Sequence, residues 1–372
     1  MKKFWVIHNI PSPYRLHIFN ALYNECKRRD LDFHVHFMSD MRRGYDERPL
    51  SWRNPKMDFP YTYWRDYGLG QRHVNPGLLL YLWKNKPDYL LVGSPFDTFT
   101  GMFAGRMTNG ITCTWCEGNT KTPGRLNGLI GAIKRFSLRG YKYVAVPGKD
   151  AIKYIELHQK LTKHIMPKTI ILPNLVDETR FTHKDWNASK DEVKHAIIPA
   201  RLKPVKGLME FVNILSPEML SGWKIQIVGD GELKTPLENL ILKRSLKDFI
   251  EINPFISYEE MPNYYVKSDL LILPSIYDPN PLSVIEALHT GLPIALSDKA
   301  GNIEEGVEEG KNGWKLPVGN SDKFVEILKE IFSCSREKLA IMGKWSYEHN
   351  AKFWSTDKSI SNFCDILINE KN

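Results

Sequence analysis

Cysteine is scarce and odd in number: Cys26, Cys113, Cys116, Cys334 and Cys364 are scattered through 372 residues. Five thiols without regular spacing exclude a disulfide framework and fit a reducing compartment. No segment approaches the ~20 apolar residues needed to span a bilayer. The opening MKKFWVIHNI starts like a secretory leader, but its apolar run breaks at His8-Asn9 and no small-residue cleavage site follows. It reads as a first β-strand. Repeats, low-complexity tracts and disordered linkers are absent. Three small motifs are set aside. Cys113-Thr-Trp-Cys116 has redox spacing but lies at a strand's end, not at a helix N-terminus. His34 and His36 share a strand face with no third ligand near, so zinc is not expected. Asn187-Ala-Ser189 is a sequon without secretory context.

What is present is globular. A hydrophobic share of 42% with 25% charged residues is that of a soluble protein, and a chain this long prefers two cores to one. The charge is uneven. Residues 1–172 hold 27 Lys+Arg against 13 Asp+Glu, a formal +14, whereas residues 173–372 hold 24 against 30, a formal −6. A basic half beside an acidic half points to an anionic partner for the former: nucleic acid, anionic lipid or a lipid-diphosphate. No nucleic-acid module is recognisable and the acidic half opposes that partner, so none is expected.

Strand-like and helical stretches alternate. KKFWVIHN, LDFHVHFMS, YLLVGS, ITCTW and YVAVPG read as strands; Leu16, Phe19 and Leu22 fall at helical spacing between the first two. Residues 41–75 are aromatic and Arg-rich without a period. A second alternating series starts near His195, and the segment from about Trp345 is helical. The pattern predicts two doubly wound α/β domains in tandem.

The most informative stretch is Ser268–Gly291, SDLLILPSIYDPNPLSVIEALHTG. The strand Leu270–Leu273 runs into a Pro-rich loop opened by Asp278. A helix is expected from Ser283, with Glu286 in its first turn, where an acid suits the dipole. A helix start behind a strand collects phosphate through unpaired N–H groups, here those of Leu282 and Ser283. Ser283 followed by Glu286 also reads as a capping box competing for those groups. Asn280 lies in the same loop. Asp278 and Glu286 would repel phosphate and suit hydroxyls. Phosphate in the middle with hydroxyls at both ends describes a nucleotide sugar; the plain alternative is a crossover with two incidental acids. Arg201 and Lys206 bracket a loop behind another strand, at the edge where open sheets bind ligands. Gly229-Asp230-Gly231 ends a third strand and permits close backbone approach.

Arg201-x4-Lys206-Gly207, the Gly229–Gly231 turn, Asp278-x7-Glu286 and Asn174-Leu-Val-Asp177 resemble, in order and spacing, a family 4 retaining glycosyltransferase of GT-B fold, of the bacterial cell-surface polysaccharide type. The resemblance implies two Rossmann-like domains facing a cleft: an acceptor domain at 1–172, a donor domain at 173–350, and a helix at 351–372 crossing back to the first. It assigns Arg201 and Lys206 to the donor diphosphate, Glu286 to the ribose, Asp278 to the transferred sugar, and Phe255-Ile256 to the loop at the base, with Gly229 and Asp230 nearby. In the first domain, Asn9–Arg15 fills the place of a Gly-rich loop without a glycine. Its Ser12, Tyr14 and Arg15 would face phosphate or acceptor. Glu117 stands where many members carry a His toward the reacting sugar. Three residues depart from the pattern: Asp278 for Glu, Pro281 for Gly and Pro254 for Gly. Two cations without a donor-loop Asp-x-Asp imply no metal and no cofactor beyond a nucleotide-sugar substrate, with a UDP-sugar favoured. The expected activity is retaining transfer to a lipid-linked glycan by a cytoplasmic, peripherally membrane-bound enzyme. Its rivals are a GT-B epimerase and a non-catalytic nucleotide-sugar binder.

One basic stretch stands apart. Lys121 to Lys168 contains eleven Lys and Arg against two acids, Asp150 and Glu156. Within it Leu126, Leu129, Ile130 and Ile133 share one helical face, with Phe136 beside them. That face would be taken by core or by membrane. Lys134, Arg135, Arg139 and Lys142 alongside it favour anionic lipid.

Overall fold

The computed structural model describes residues 1–40, 56–68, 72–93, 95–121, 126–187 and 192–369. Much of the aromatic, Arg-rich excursion and Ser189 of the sequon lie outside them. The chain divides into two compact units, Met1–Val176 with Thr356–Asn372, and Asp177–Ser355.

In the first unit the strands are β1 (Lys2–His8), β2 (Leu31–Phe37), β3 (Tyr61–Tyr63), β4 (Tyr89–Val92), β5 (Ile111–Trp115), β6 (Tyr143–Val146) and β7 (Lys168–Ile171). They form one parallel sheet in the order β3-β2-β1-β4-β5-β6-β7. Helices α1 (Pro13–Arg28), α2 (Pro76–Asn85), α3 (Phe99–Ala104), α4 (Gly128–Leu138) and α5 (Lys149–Lys160) connect them. Parallel strands need such crossovers and are covered on both faces, which is why YLLV of β4 and YVAV of β6 are buried throughout. Trp5, Ile7, Leu90 and Val92 pack under Leu78 and Leu82 of α2.

The second unit repeats the plan. Strands β8 (Lys194–Pro199), β9 (Trp223–Val228), β10 (Ile250–Asn253), β11 (Leu270–Leu273), β12 (Ile294–Ser297) and β13 (Gly313–Leu316) lie parallel in the order β10-β9-β8-β11-β12-β13. Their helices are α6 (Leu208–Ile214), α7 (Lys234–Lys243), α8 (Met261–Lys267), α9 (Leu282–Thr290), α10 (Ile303–Gly306), α11 (Ser321–Ser333) and α12 (Arg336–Trp345). Ala196, Ile198, Ile225, Ile227, Leu270 and Ile272 form the sheet side of the core, against Leu208, Phe211 and Phe324. A π-turn at Ser346–Asn350 and a 3-10 turn at Ala351–Trp354 lead to α13 (Thr356–Ile368). This last helix packs on α1 in the first unit, with an Arg29–Asp365 ion pair at 2.8 Å and His17 Nε2 2.9 Å from Thr356 Oγ1.

In each sheet the strand order reverses beside the first strand, at β1/β4 and at β8/β11. Such reversals open a crevice at the strands' C-terminal ends. Among the described residues no helix is long and apolar enough to cross a membrane.

Candidate active site

The β8/β11 crevice brings together residues far apart in the chain. Arg201 follows β8 directly and is exposed, without a hydrogen bond or ion pair to its guanidinium among the described residues. Lys206 ends the one-turn 3-10 helix Pro204–Lys206, and Gly207 turns into α6 at φ +66°. A Cβ on Gly207 would stand 2.3 Å from the carbonyl oxygen of Pro274, just past β11. Only glycine allows that approach. Ile276 N donates to Val205 O at 3.0 Å, so the two loops are joined through their backbones. Lys206 Nζ therefore meets Asp278 Oδ2 at 2.5 Å, in a half-buried pair that is a charge-assisted hydrogen bond. Beside them Gly229 (φ +149°) passes so close to Ala200 O that a Cβ would lie 2.0 Å from it. Asp230 then accepts a hydrogen bond from Phe255 N at 2.8 Å, which ties the turn after β9 to the loop after β10.

The start of α9 differs from expectation. The helix begins at Leu282 with Pro281 at its cap and no side-chain capping bond. Ser283 is thus the second helical residue, and the expected capping box is not formed. Glu286 lies one turn deeper, so the first turn carries no acid. It is buried, and its Oε2 accepts a hydrogen bond from Tyr265 OH at 2.6 Å. Burial pushes the Glu286 carboxyl above its ordinary range, and the Tyr265 hydrogen bond and the Arg180 charge only moderate this. Arg180 is itself placed by stacking 3.9 Å over the Tyr258 ring. The helix dipole, the expected reason for an acid at this position, is not what sets Glu286.

In the first unit, Glu117 stands just past β5. Its carboxylate pairs with the Arg15 guanidinium. Arg15 is buried, donates to Asn174 Oδ1 at 2.8 Å and stacks 4.0 Å over the Trp115 ring. Burial would raise the Glu117 carboxyl; the Arg15 charge and the Asn174 and Arg15 hydrogen bonds outweigh it and hold the group below its ordinary range. Arg15, expected from the sequence to face phosphate or acceptor, is here buried and held by Glu117 and Asn174. It is a brace that keeps Glu117 ionised. Ser12 is buried at the cap of α1, with no bond from its hydroxyl to the helix, and Tyr14 is half-buried with the Arg15 guanidinium 5.2 Å from its ring.

Residues 179–360 match the family model described as Glycosyl transferases group 1. The match covers just under half of the chain. WcaL of Salmonella typhimurium, a glycosyltransferase assigned to colanic acid biosynthesis, is 29% identical over 184 residues, which is 44% of this chain and 45% of WcaL. The amylovoran biosynthesis glycosyltransferase AmsK of Erwinia amylovora is 30% identical over 138 residues, 35% of this chain and 33% of AmsK. The chain spans less than half the length of these relatives. Anabaena HepE, solved in complex with UDP and glucose, superposes with a TM-score of 0.73 at 15% identity, over 99% of this chain and 100% of that one. The fold is GT-B.

Within the matched segment, Arg201, Lys206, Gly229, Asp230, Asp278, Asn280, Leu282 and Ser283 lie on the loops behind β8, β9 and β11. Phe255 is exposed and Ile256 half-buried on the loop behind β10. Asn280 faces Asn302, which also donates to Pro281 O at 3.1 Å. Sequence reasoning missed Tyr265 and Arg180, which moderate the effect of burial on Glu286, and the side-chain role of Asn174. Asn174 had a signal in its junction motif; Tyr265 and Arg180 had none. Cys113 and Cys116 are buried free thiols pushed up by burial, the latter to about 12. Among the described residues no three His, Cys, Asp or Glu side chains are grouped to hold a metal.

Proposed function

We propose that this protein transfers a sugar from a nucleotide-sugar donor, a UDP-sugar in the first instance, to a growing lipid-linked cell-surface glycan, with retention at the anomeric carbon. The observation that carries the reading is the Lys206–Asp278 pair beside exposed Arg201 at the β8/β11 crevice: cations for a diphosphate and a carboxylate for sugar hydroxyls on one ledge. In the reaction the bond from the sugar's anomeric carbon to the diphosphate oxygen breaks. A bond to an acceptor hydroxyl forms on the same face, and the hydroxyl's proton goes to the departing phosphate. Negative charge grows on the nucleoside diphosphate. Arg201, Lys206 and the N–H groups at the start of α9 oppose it without requiring a metal, each such fixed group being worth ~2.7–4 kcal/mol in comparable sites.

Asp278 would hold the transferred sugar and Glu286 the ribose, while the braced Glu117 carboxylate would meet the acceptor. The relatives' assignments to colanic acid and amylovoran biosynthesis support a polysaccharide acceptor. Five free cysteines suit a cytoplasmic site of action.

The test incubates the protein and its Lys206→Ala variant with UDP-, GDP-, ADP- and CMP-sugars, with and without membrane extract. Transfer of label to a lipid-extractable glycan is expected from one donor, only with extract, and about tenfold or more slower in the variant. Conversion of the sugar without extract would favour the epimerase instead. Equal rates in a folded Lys206→Ala variant would remove Lys206 from the mechanism.

A further inference from the structure

The helix α4 is turned inside out relative to an ordinary crossover helix. Its apolar positions face solvent: Leu129 is 77% exposed, Ile130 42%, Ile133 39% and Phe136 43%. Its inward side instead carries Gly131, Leu138 and two cations that do structural work. Lys134 Nζ donates to Tyr154 OH at 3.0 Å, and Arg135 donates to Leu126 O at 2.7 Å. These two are therefore not the lipid contacts that the sequence pattern suggested. The apolar face continues onto α3. Phe136 packs edge-on against Phe103 at 5.8 Å, and Phe103 against Phe99 at 4.7 Å, with Phe99 exposed. The result is a continuous aromatic and aliphatic patch across two helices, of the kind a soluble surface rarely leaves bare.

The rim of the patch is basic. The Arg106 guanidinium stacks 4.2 Å over the Phe136 ring and donates to Phe136 O at 2.5 Å. Arg139 and Lys142 are exposed beyond the last turn of α4. Asp97 is an exposed acid beside Phe99, while Asp150 is buried, its carboxylate taken by Thr120. An apolar face with a cationic rim is complementary to an anionic bilayer: the rings and aliphatic chains enter the acyl boundary and the cations meet headgroups. The same rim opposes self-association, because joining two such faces would bring their cations together.

We propose that the α3–α4 face is the surface by which the protein docks on an anionic lipid bilayer. A crossover helix begins at the sheet edge where its strand ends, so Leu129 and Ile130 lie toward the edge that carries Glu117. The docked unit would then present that carboxylate near lipid-borne glycan. The purpose of docking rests on the proposed lipid-linked acceptor, but the docking does not, and vesicle binding is measured without donor or acceptor.

The experiment is co-sedimentation with vesicles of phosphatidylcholine containing about 30% phosphatidylglycerol, at about 0.05 M and about 0.5 M salt. The wild type is compared with Leu129→Glu/Ile133→Glu, with Leu129→Glu alone, and with Arg139→Glu. Leu129 is so exposed that its single variant keeps the fold, which a melting curve checks. We expect salt-sensitive binding, reduced about tenfold or more in the double variant and less in each single one. Absence of wild-type binding at low salt, or equal partitioning of wild type and variants, overturns the proposal. So does a wild-type dimer in sedimentation velocity that Leu129→Glu dissolves while vesicles bind neither protein, since the face would then belong to a second copy.

Discussion

Asn174 is quoted in the sequence as part of a domain-junction motif, yet its side chain holds Arg15, and Arg15 holds Glu117. That chain of contacts makes the ionisation of Glu117 a property of its neighbours. Arg15→Met keeps the length but removes the charge, so the Glu117 carboxyl should rise and the acid limb of the transfer rate should move to higher pH. Arg15→Lys should restore part of the original profile. A uniform drop in rate with an unmoved pH profile would make Arg15 merely structural. Glu286 obeys the opposite arithmetic. Its carboxyl is already raised by burial, so nucleotide binding through its ionised form should fade on acidification sooner than an ordinary carboxylate would allow. Tyr265→Phe deletes the hydrogen bond that moderates the shift. Calorimetric titration across pH should show the loss of affinity beginning at higher pH in that variant; superimposable curves would detach Tyr265 from the site.

At the level of elements, the tight turns behind β8 and β9 do most to shape the crevice. Gly229→Ala would set a Cβ 2.0 Å from Ala200 O at a backbone angle that side chains rarely adopt. A loss of about 2 kcal/mol or more in denaturant unfolding is expected, with nucleotide binding weakened in parallel; an unchanged midpoint would show that the turn can move aside. The alternation of elements, the ends of β9 and β11, and the Arg201, Lys206 and Asp278 positions were legible because period and punctuation are local signals. The direct Lys206–Asp278 pair was not, since it depends on β8 and β11 being neighbours, a fact of topology rather than of spacing. The start of α9 was misread because Ser283 and Glu286 have capping-box spacing while Pro281 already fixes the helix entrance. In α4 the period held for Leu129, Ile130 and Ile133, whereas Leu126 precedes the helix and packs on the core, and periodicity cannot say which face turns outward. Half-buried Lys134 and Arg135, held by Tyr154 and Leu126, are what reverse it.

Across the molecule, three strongly shifted buried histidines make the first unit sensitive to acid. His8, His36 and His158 are buried in the first unit. Burial first, with Arg15 beside His8, lowers His8 to about 3; burial, with His34 nearby, lowers His36 to about 3; burial, with Lys134 and Arg135, lowers His158 to about 4. Unfolded histidine takes up its proton near 6.5, so below that pH the unfolded chain binds more protons and the folded first unit loses stability. Each histidine contributes about 1.4 kcal/mol per pH unit between about 6.5 and its folded value. Urea unfolding followed by hydrogen exchange in β1 and β2 should show this fall between pH 7 and 5 as a steep slope, and a flat profile would mean that these rings protonate without unfolding. The central claim, however, is that the second unit grips a nucleotide sugar with the loops behind β8 and β11. Hydrogen exchange with and without the most stabilising of the UDP-, GDP-, ADP- and CMP-sugars tests it most directly. The account predicts slowed exchange at Arg201–Gly207 and at Ile276–Val284, abolished for the same ligand by Lys206→Ala. Protection confined to other segments, or undiminished in that variant, would contradict it.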